Sequence, residues 1–364
     1  MKLLKFPYLV QKEILQNVEP SYLLLLSSVS KNLKKLIKSS QLNRFKSTDF
    51  IRYECCYRKR VFVYVFPRDC RPKEVLRFVE REKTDEGHFK LNVLGETIDF
   101  QMSKQGNLVS MFHEEEKEMV IQSIHNYFLD FFGNSMEYQW MARHYTYSIP
   151  RLRNLSSCFD MTIVDLEWED DENLENFFAY CPVWKCINIY FPCMYDIFTP
   201  ESKIHLAESV KIHEHFATPI LSHFKGKQLV INHTFCKFSE LVEFVNKWKS
   251  GESFHKLEYL RIQKNLLEFP QTHFFNEIGA KYIPATRIPP IHTLLKVHVE
   301  DDRELNTDPI ISHAYVVRET DNRVASVMIQ GKTMSFGVWD MTEEEFLSMV
   351  DYFQIYFVGR IISS

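Results

Sequence analysis

Glycine is scarce in this chain, 10 of 364 residues, so loops that cradle a phosphate by close backbone approach are few, which counts against nucleotide enzymes. An excess of charge of either sign is missing too. With 44 Lys and Arg against 48 Asp and Glu the net charge is -4, which gives no global field to gather nucleic acid or anionic lipid. No run of 18 apolar residues occurs, and the densest patch, Tyr22 to Leu26, reads as a fragment of a core helix. The start, MKLLKFPYLVQKEIL, is broken by Pro7, Gln11, Lys12 and Glu13 and lacks the apolar stretch and small-residue cleavage site of a secretion signal. The expectation is an intracellular protein, cytoplasmic, nuclear or both, with no membrane and no nucleic-acid partner. Its eight cysteines then read as reduced, mostly buried thiols.

Catalytic signatures are absent as well: there is no GxSxG, HExxH or GxGxxG. Gly331-Lys332-Thr333 resembles the tail of a phosphate loop, but Ser326 stands where that loop has Gly, and the segment reads as a hairpin turn. Cys181, Cys186 and Cys193 with His205 and His213 lack the CxxC knuckle of a zinc site, and buried free thiols are the better account. His213, His215 and His233 lie on strand-like runs, where structural or exposed histidine outweighs a ligand set. The acidic run Glu167-Glu169-Asp170-Asp171-Glu172 precedes an apolar helix and reads as its cap. No catalytic residue, metal or cofactor is expected.

What is present is 45% hydrophobic and 14% aromatic residues, including 30 Phe, enough for sizeable cores. From Tyr8 to Ser39 apolar residues recur at helical spacing, broken at Glu19-Pro20-Ser21, where Ser21 is placed to cap the second helix. Residues 46–133 read as a small mixed region: strands at KRVFVYVFP, HFKLNVLG and TIDFQMS, a helical insert at KEVLRFVERE, and a helix from Glu114 to Phe132 capped by Gly133. Over 134–290 a strand-like run keeps returning with a helix-like run after it: VDLEW, INIYF, VKIHE, LVINH and YLRIQ. Aligning Leu166, Ile189, Ile212, Ile231 and Ile262 gives spacings of 23, 23, 19 and 31 residues, those of leucine-rich-repeat-like βα units. Met136 to Trp140 adds an earlier strand to this array. Residues 291–364 read as a three-stranded meander that closes the array, then a helix opening on Thr342-Glu343-Glu344-Glu345.

The first residues carry a family resemblance. FPYLVQKEILQNVEPSYLLLLSSVSKNL resembles an F-box without a gap: Phe6-Pro7 for its Leu-Pro pair, Ile14 and Val18 for the first helix, Glu19-Pro20 for the break, and Leu23, Leu26 and Val29 for the second. Phe6 replaces Leu, while Ser30 and Leu33 replace the Cys and the aromatic. FSELVEFVNKWKSGESFHKLEYLRIQ, with its Trp248, Gly251, Leu257 and Leu260, and VASVMIQGKTMSFGVW resemble the F-box-associated domain, type 2, of nematode F-box families, over roughly 160–340.

The residues read as an α+β chain with a detached helical module over 1–45, and the F-box resemblance of that module implies a receptor role in an SCF-type ligase. Phe6, Pro7, Ile14, Val18, Leu23, Leu26, Val29 and Leu33 would then face the adaptor, and through it a cullin. The ordinary alternative is an amphipathic hairpin that merely packs on the next domain. On the array strands, alternation places Tyr190, His213 and Arg261 on one face, offered to a protein target, with Trp339 of the meander as a second location. The rival functions are a non-catalytic scaffold that directs no ubiquitin transfer, and an enzyme with a scattered site.

Overall fold

The structure is a computed structural model that describes residues 3–56, 60–68, 71–81, 87–162, 170–181, 184–190, 198–213, 218–265, 268–297 and 304–350. The chain forms two compact units, Met1–Asp160 and Met161–Ser364.

The first unit opens with four helices, α1 (Tyr8–Gln16), α2 (Pro20–Val29), α3 (Lys31–Ser40) and α4 (Leu42–Lys46). Pro7 precedes α1 and Pro20 occupies the first turn of α2, where a missing N–H costs nothing. The cap of α2 is Glu19, and Ser21 is buried in the first turn. Ser30 caps α3 through the Leu33 amide, 3.5 Å away, so the residue that departs from the F-box pattern acts as a helix stop and start.

The helices lead into a sheet with the order β8 (Leu155–Thr162), β7 (Glu137–Ala142), β1 (Thr48–Cys56), β2 (Arg60–Pro67), β3 (Lys73–Glu80), β6 (Leu108–Phe112), β5 (Glu96–Met102) and β4 (Phe89–Val93). Helix α5 (Lys117–Phe132) packs on it and ends at Gly133, whose φ of 106° suits a residue without Cβ. Tyr53 sits at the centre, its ring 5.8 Å from Trp140 and 6.5 Å from Phe78, its hydroxyl 2.9 Å from His125 Nδ1. Because His125 Nε2 faces the Arg153 carbonyl at 2.7 Å, Nε2 carries the proton and Nδ1 accepts from Tyr53. The strand Met136 to Trp140, expected in the later array, pairs in parallel with β1 and β8.

Two expectations change here. Lys73–Glu80 of the KEVLRFVERE run is strand β3, with β2 antiparallel on one side and β6 parallel on the other. A register shift at Val63/Tyr64 lets both Val75 and Leu76 turn inward, and this bulge breaks the period of two that would mark a strand. The N-terminal helices are also not detached: α2 lies against β3, β4 and β6, Ser27 shares a 2.7 Å hydrogen bond with the Tyr127 hydroxyl, and Phe45 wedges between Phe131 and Phe132 at 5.2 and 5.1 Å.

In the second unit, β9 (Trp184–Tyr190), β10 (Ser209–His213), β11 (Gln228–Thr234) and β12 (Tyr259–Lys264) lie parallel and in chain order. Ile189 pairs with Ile212, Ile212 with Ile231 and Ile231 with Ile262, so the positions aligned in the sequence are stacked in register. The VDLEW run with Leu166 lies outside the described residues, as do Cys193, His215 and the end of the chain beyond Val350. Helices α6 (Asp170–Tyr180), α7 (Thr218–His223) and α8 (Phe238–Ser250) connect the strands. Their Phe178, Leu221, Leu241, Phe244 and Trp248 are buried, as are the sheet residues Ile187, Val210, Leu229 and Leu260. Gly251, at φ 72°, ends α8 in the left-handed cap; Leu257 and Leu260 are buried after it, so the Trp248-Gly251-Leu257-Leu260 pattern spells helix anchor, stop and return to the sheet.

After α9 (Gln271–Glu277) and the short β13 (Lys281–Tyr282), the chain forms a two-stranded ribbon from β14 (Ile291–His292) and β15 (Ile310–Ile311), bridged again at Leu295 and Asn306. The expected meander comes next as β16 (Ala314–Val317), β17 (Arg323–Gln330) and β18 (Thr333–Thr342), and β18 pairs antiparallel with β12, covering the open edge of the parallel strands. Gly331-Lys332 is the β17–β18 turn, with Gln330 paired to Thr333. Residues 343–350 are helical, and Phe346 and Val350 complete a small core with Ile283, Tyr315 and Val324.

Candidate interaction surfaces

The N-terminal helices are two-faced. Leu15, Leu23, Leu24, Ile37 and Phe45 are buried, and Leu23 is only 1% exposed, so its side chain lies inside the module. On the outside stand Phe6, Pro7 and Val29, with Val29 63% exposed; Ile14, Val18, Leu26 and Leu33 are half-buried between the two faces. Leu4, Leu9 and Val10, which the F-box resemblance does not single out, are also exposed, with Leu9 at 76%. Leu9 and Val10 lie in the first turn of α1, directly after Phe6 and Pro7.

This face is held from behind by polar ties. Lys34 and Lys38 reach the Asp130 carboxylate, and the Lys34 hydrogen bond holds that carboxyl below its usual range. Lys73 meets Glu19 at 3.1 Å, and Arg44 donates to the Val18 carbonyl at 2.9 Å. Burial pushes the Tyr127 hydroxyl up to about 12, so it stays protonated beside Ser27. The exposed ion pairs stabilise by about 0.2–1 kcal/mol each and orient the helices more than they hold them.

The second surface is the polar face of the parallel strands. In-register stacking joins residues far apart in sequence: the Tyr190 and His213 rings are 5.6 Å apart, Asn232 Nδ2 donates to His213 Nε2 at 3.4 Å, and Arg261 Nη1 donates to Asn232 Oδ1 at 3.1 Å. Tyr190, His213 and Asn232 thus share one row, while Arg261 belongs to the neighbouring row of Asn188, Lys211 and Val230 and reaches across to Asn232. Trp339 is elsewhere, half-buried between His292 and Phe346 with Nε1 donating to Ser326 at 2.9 Å.

The ribbon crosses this face, an arrangement that strand alternation does not announce. Gln228 holds it by both atoms of one amide: Nε2 donates to the Leu295 carbonyl at 2.8 Å and Oε1 accepts from the Val297 amide at 3.0 Å. His292 lies on Gly337 and donates to the Val338 carbonyl at 3.0 Å, and Arg261 pairs with Asp308 at 3.2 Å. Its signals in the sequence are Ile288-Pro289-Pro290 and Asp308-Pro309, each directly before one of its two strands. Between ribbon and sheet remains a cleft of about 340 Å³, with Asn188, Lys211, Asn232 and Arg261 on the sheet side and Lys296 and Glu304 on the ribbon side.

Among the described residues neither surface carries a nucleophile beside a base. The Cys236 thiol touches Glu240 at 3.3 Å, but burial, reinforced by that carboxylate, drives it upward and keeps it a thiol. Among the described residues no three His, Cys, Asp or Glu side chains are grouped to hold a metal ion, and no helix is long and apolar enough to cross a membrane. No curated protein and no solved structure matches the chain. One comparison does match, over the two-faced helices: residues 3–45 fit the F-box domain model, and the chain carries an F-box.

Proposed function

We propose that the chain is the substrate-recognition subunit of an SCF-type cullin-RING ubiquitin ligase, which binds the adaptor through the F-box and a protein target through the second unit. The observation that carries this reading is an F-box match whose helices leave an apolar face uncovered while their opposite face is packed. Phe6, Pro7, Ile14, Val18, Leu26, Val29 and Leu33 are the adaptor-facing set, joined by Leu9 and Val10; Leu23 supports them from inside. The parallel βα array is read as leucine-rich-repeat-like and, with the likeness of its sequence to the nematode F-box-associated domain, type 2, as the target-binding part. Tyr190, His213 and Arg261 are its contact residues, on two neighbouring rows, and the packing of Trp339 gives it a supporting role.

Such a subunit works by proximity. Holding a target and the ligase together raises the local concentration of target lysines at the charged conjugating enzyme, while other subunits do the chemistry. Co-purification tests it. Adaptor and cullin recovered together, with ubiquitin transferred to a co-captured protein, support the receptor; adaptor without cullin supports the non-catalytic scaffold, and neither overturns both.

A further inference from the structure

The ribbon that crosses the array turns an apolar side to solvent. We propose that this side docks the apolar face of a short amphipathic helix in a target protein, an inference that rests on reading the chain as a substrate receptor.

Beyond the N-terminal helices, the exposed large apolar side chains among the described residues are scattered, except that Ile288, Ile291, Leu295, Leu305 and Ile311 gather on and beside the ribbon. Strand pairing puts three of them on one face. Ile291 pairs with Ile311 and Leu295 with Asn306, and paired residues project to the same side. His292, Thr307 and Ile310 are buried on the opposite side, toward the sheet. An antiparallel ribbon with one wet face ordinarily places polar residues there, yet Ile291 and Leu295 are 58% and 73% exposed. The ridge is also held in place. Gln228 grips the Leu295 carbonyl and the Val297 amide, Thr307 Oγ1 accepts from the Leu294 amide at 3.1 Å, and a proline precedes each strand. A face ordered before binding loses little freedom when a partner arrives.

Geometry selects the form of the partner. The Leu294 carbonyl and Lys296 amide point to Thr307 and Leu305, so the groups that Gln228 holds lie on the other edge of β14, the edge an added strand would need. Packing on the face is what remains. From Ile291 to Leu295 an extended strand runs about 13 Å, close to the about 11 Å of two helical turns. Positions i, i+4 and i+7 of a helix laid along the ribbon therefore reach Leu295 and the Ile291–Ile311 pair. Size selects a target over a second copy of the chain. Stable interfaces engage roughly 20–30 residues a side, and five aliphatic side chains suit transient capture of one helix.

The test uses the full chain bound to the adaptor and two phage libraries, one of three-helix bundles with a randomised helix face and one of linear dodecapeptides. The helical library is expected to yield binders with Leu, Ile, Phe or Met at i, i+4 and i+7. Their affinity is expected to fall at least tenfold in Ile291→Thr/Leu295→Thr/Ile311→Thr, whose β-branched replacements keep the strands, and in Leu295→Lys. Both variants keep adaptor capture, the melting temperature and the hydrogen exchange of the Val297 amide. Binders from the linear library alone, or affinity unchanged in both variants, overturn the proposal. So does a chain that sediments as a dimer and becomes monomeric in the variants, which assigns the ridge to a second copy. If ridge-dependent helices are selected but no cullin co-purifies with the adaptor, the receptor reading falls and the docking surface stands. If cullin and ubiquitin transfer are found without ridge-dependent helices, this inference alone falls.

Discussion

Leu23 and Val29 sit on the same helix and answer to different constraints. Val29 projects into solvent, so Val29→Asp is expected to leave the melting temperature within a degree or two, while adaptor affinity falls by roughly 1.5–3 kcal/mol, the worth of one buried side chain. Leu23 is packed, so Leu23→Ala is expected to cost about 2–5 kcal/mol of stability through a cavity and to weaken adaptor capture only as far as the fold is lost. Denaturation midpoints together with adaptor titrations check both. A destabilised Val29→Asp, or a Leu23→Ala protein as stable as wild type but blind to the adaptor, would reverse the assignment of faces. The F-box match treats these positions alike because it records apolar character. Which side of the helix meets the sheet depends on Tyr127, Phe131 and Leu76, residues remote in sequence.

Single elements are poised on close approaches. A Cβ at Gly337 would lie 2.4 Å from His292 Nδ1, so Gly337→Ala is expected to push the ribbon off the sheet while β18 keeps its pairing with β12. Faster hydrogen exchange at Val297, whose amide Gln228 accepts, with unchanged exchange along β18, is the expected readout. Equal protection of Val297 in the variant would show that the ribbon rests on other contacts. Strands β9 to β12 were legible because each carries a buried Ile at the aligned position. Strand β3 was not, because a bulge put two inward residues side by side, and the ribbon was not, because its two-residue strands are too short for periodicity to register.

For the whole molecule, three buried histidines set the response to acid. Burial, the main cause in each, lowers His125, His205 and His292 from the ordinary 6.5. Below that value the unfolded chain takes up protons that the folded chain refuses, so stability is fully present above about pH 6.5 and declines as the pH falls beneath it. The carboxyls of Asp130 and Asp321 are held low by Lys34 and Arg318, and their contribution is lost only near pH 4 and below. The melting temperature is therefore expected to drop between pH 7.5 and 5.5, and to drop less in His292→Gln; a flat profile over that interval contradicts the reading. Removal of residues 310–364 is expected to abolish cooperative unfolding of the array. It strips β18 from β12 and takes away Phe336, whose ring stands 5.1 Å from Trp248 and 5.3 Å from Phe244, a loss of about 3–5 kcal/mol from that side chain alone. A truncated protein that melts sharply at the wild-type temperature would refute this.

By itself the sequence determined what local chemistry can write: a break between helices at Pro20, a helix end at Gly251, which isoleucines repeat, and that the first helices are those of an F-box. Tertiary structure alone decided which of two apolar faces those helices bury, because both are apolar and only the surface of β3, β6 and α5 selects one. It also decided the fate of the polar face of the array. Alternation said that Tyr190, His213 and Arg261 share a side, but strand order and register, which depend on hydrogen bonds between distant segments, put Tyr190 beside His213 and Arg261 in the neighbouring row, and the ribbon gripped by Gln228 turned an open sheet into a cleft.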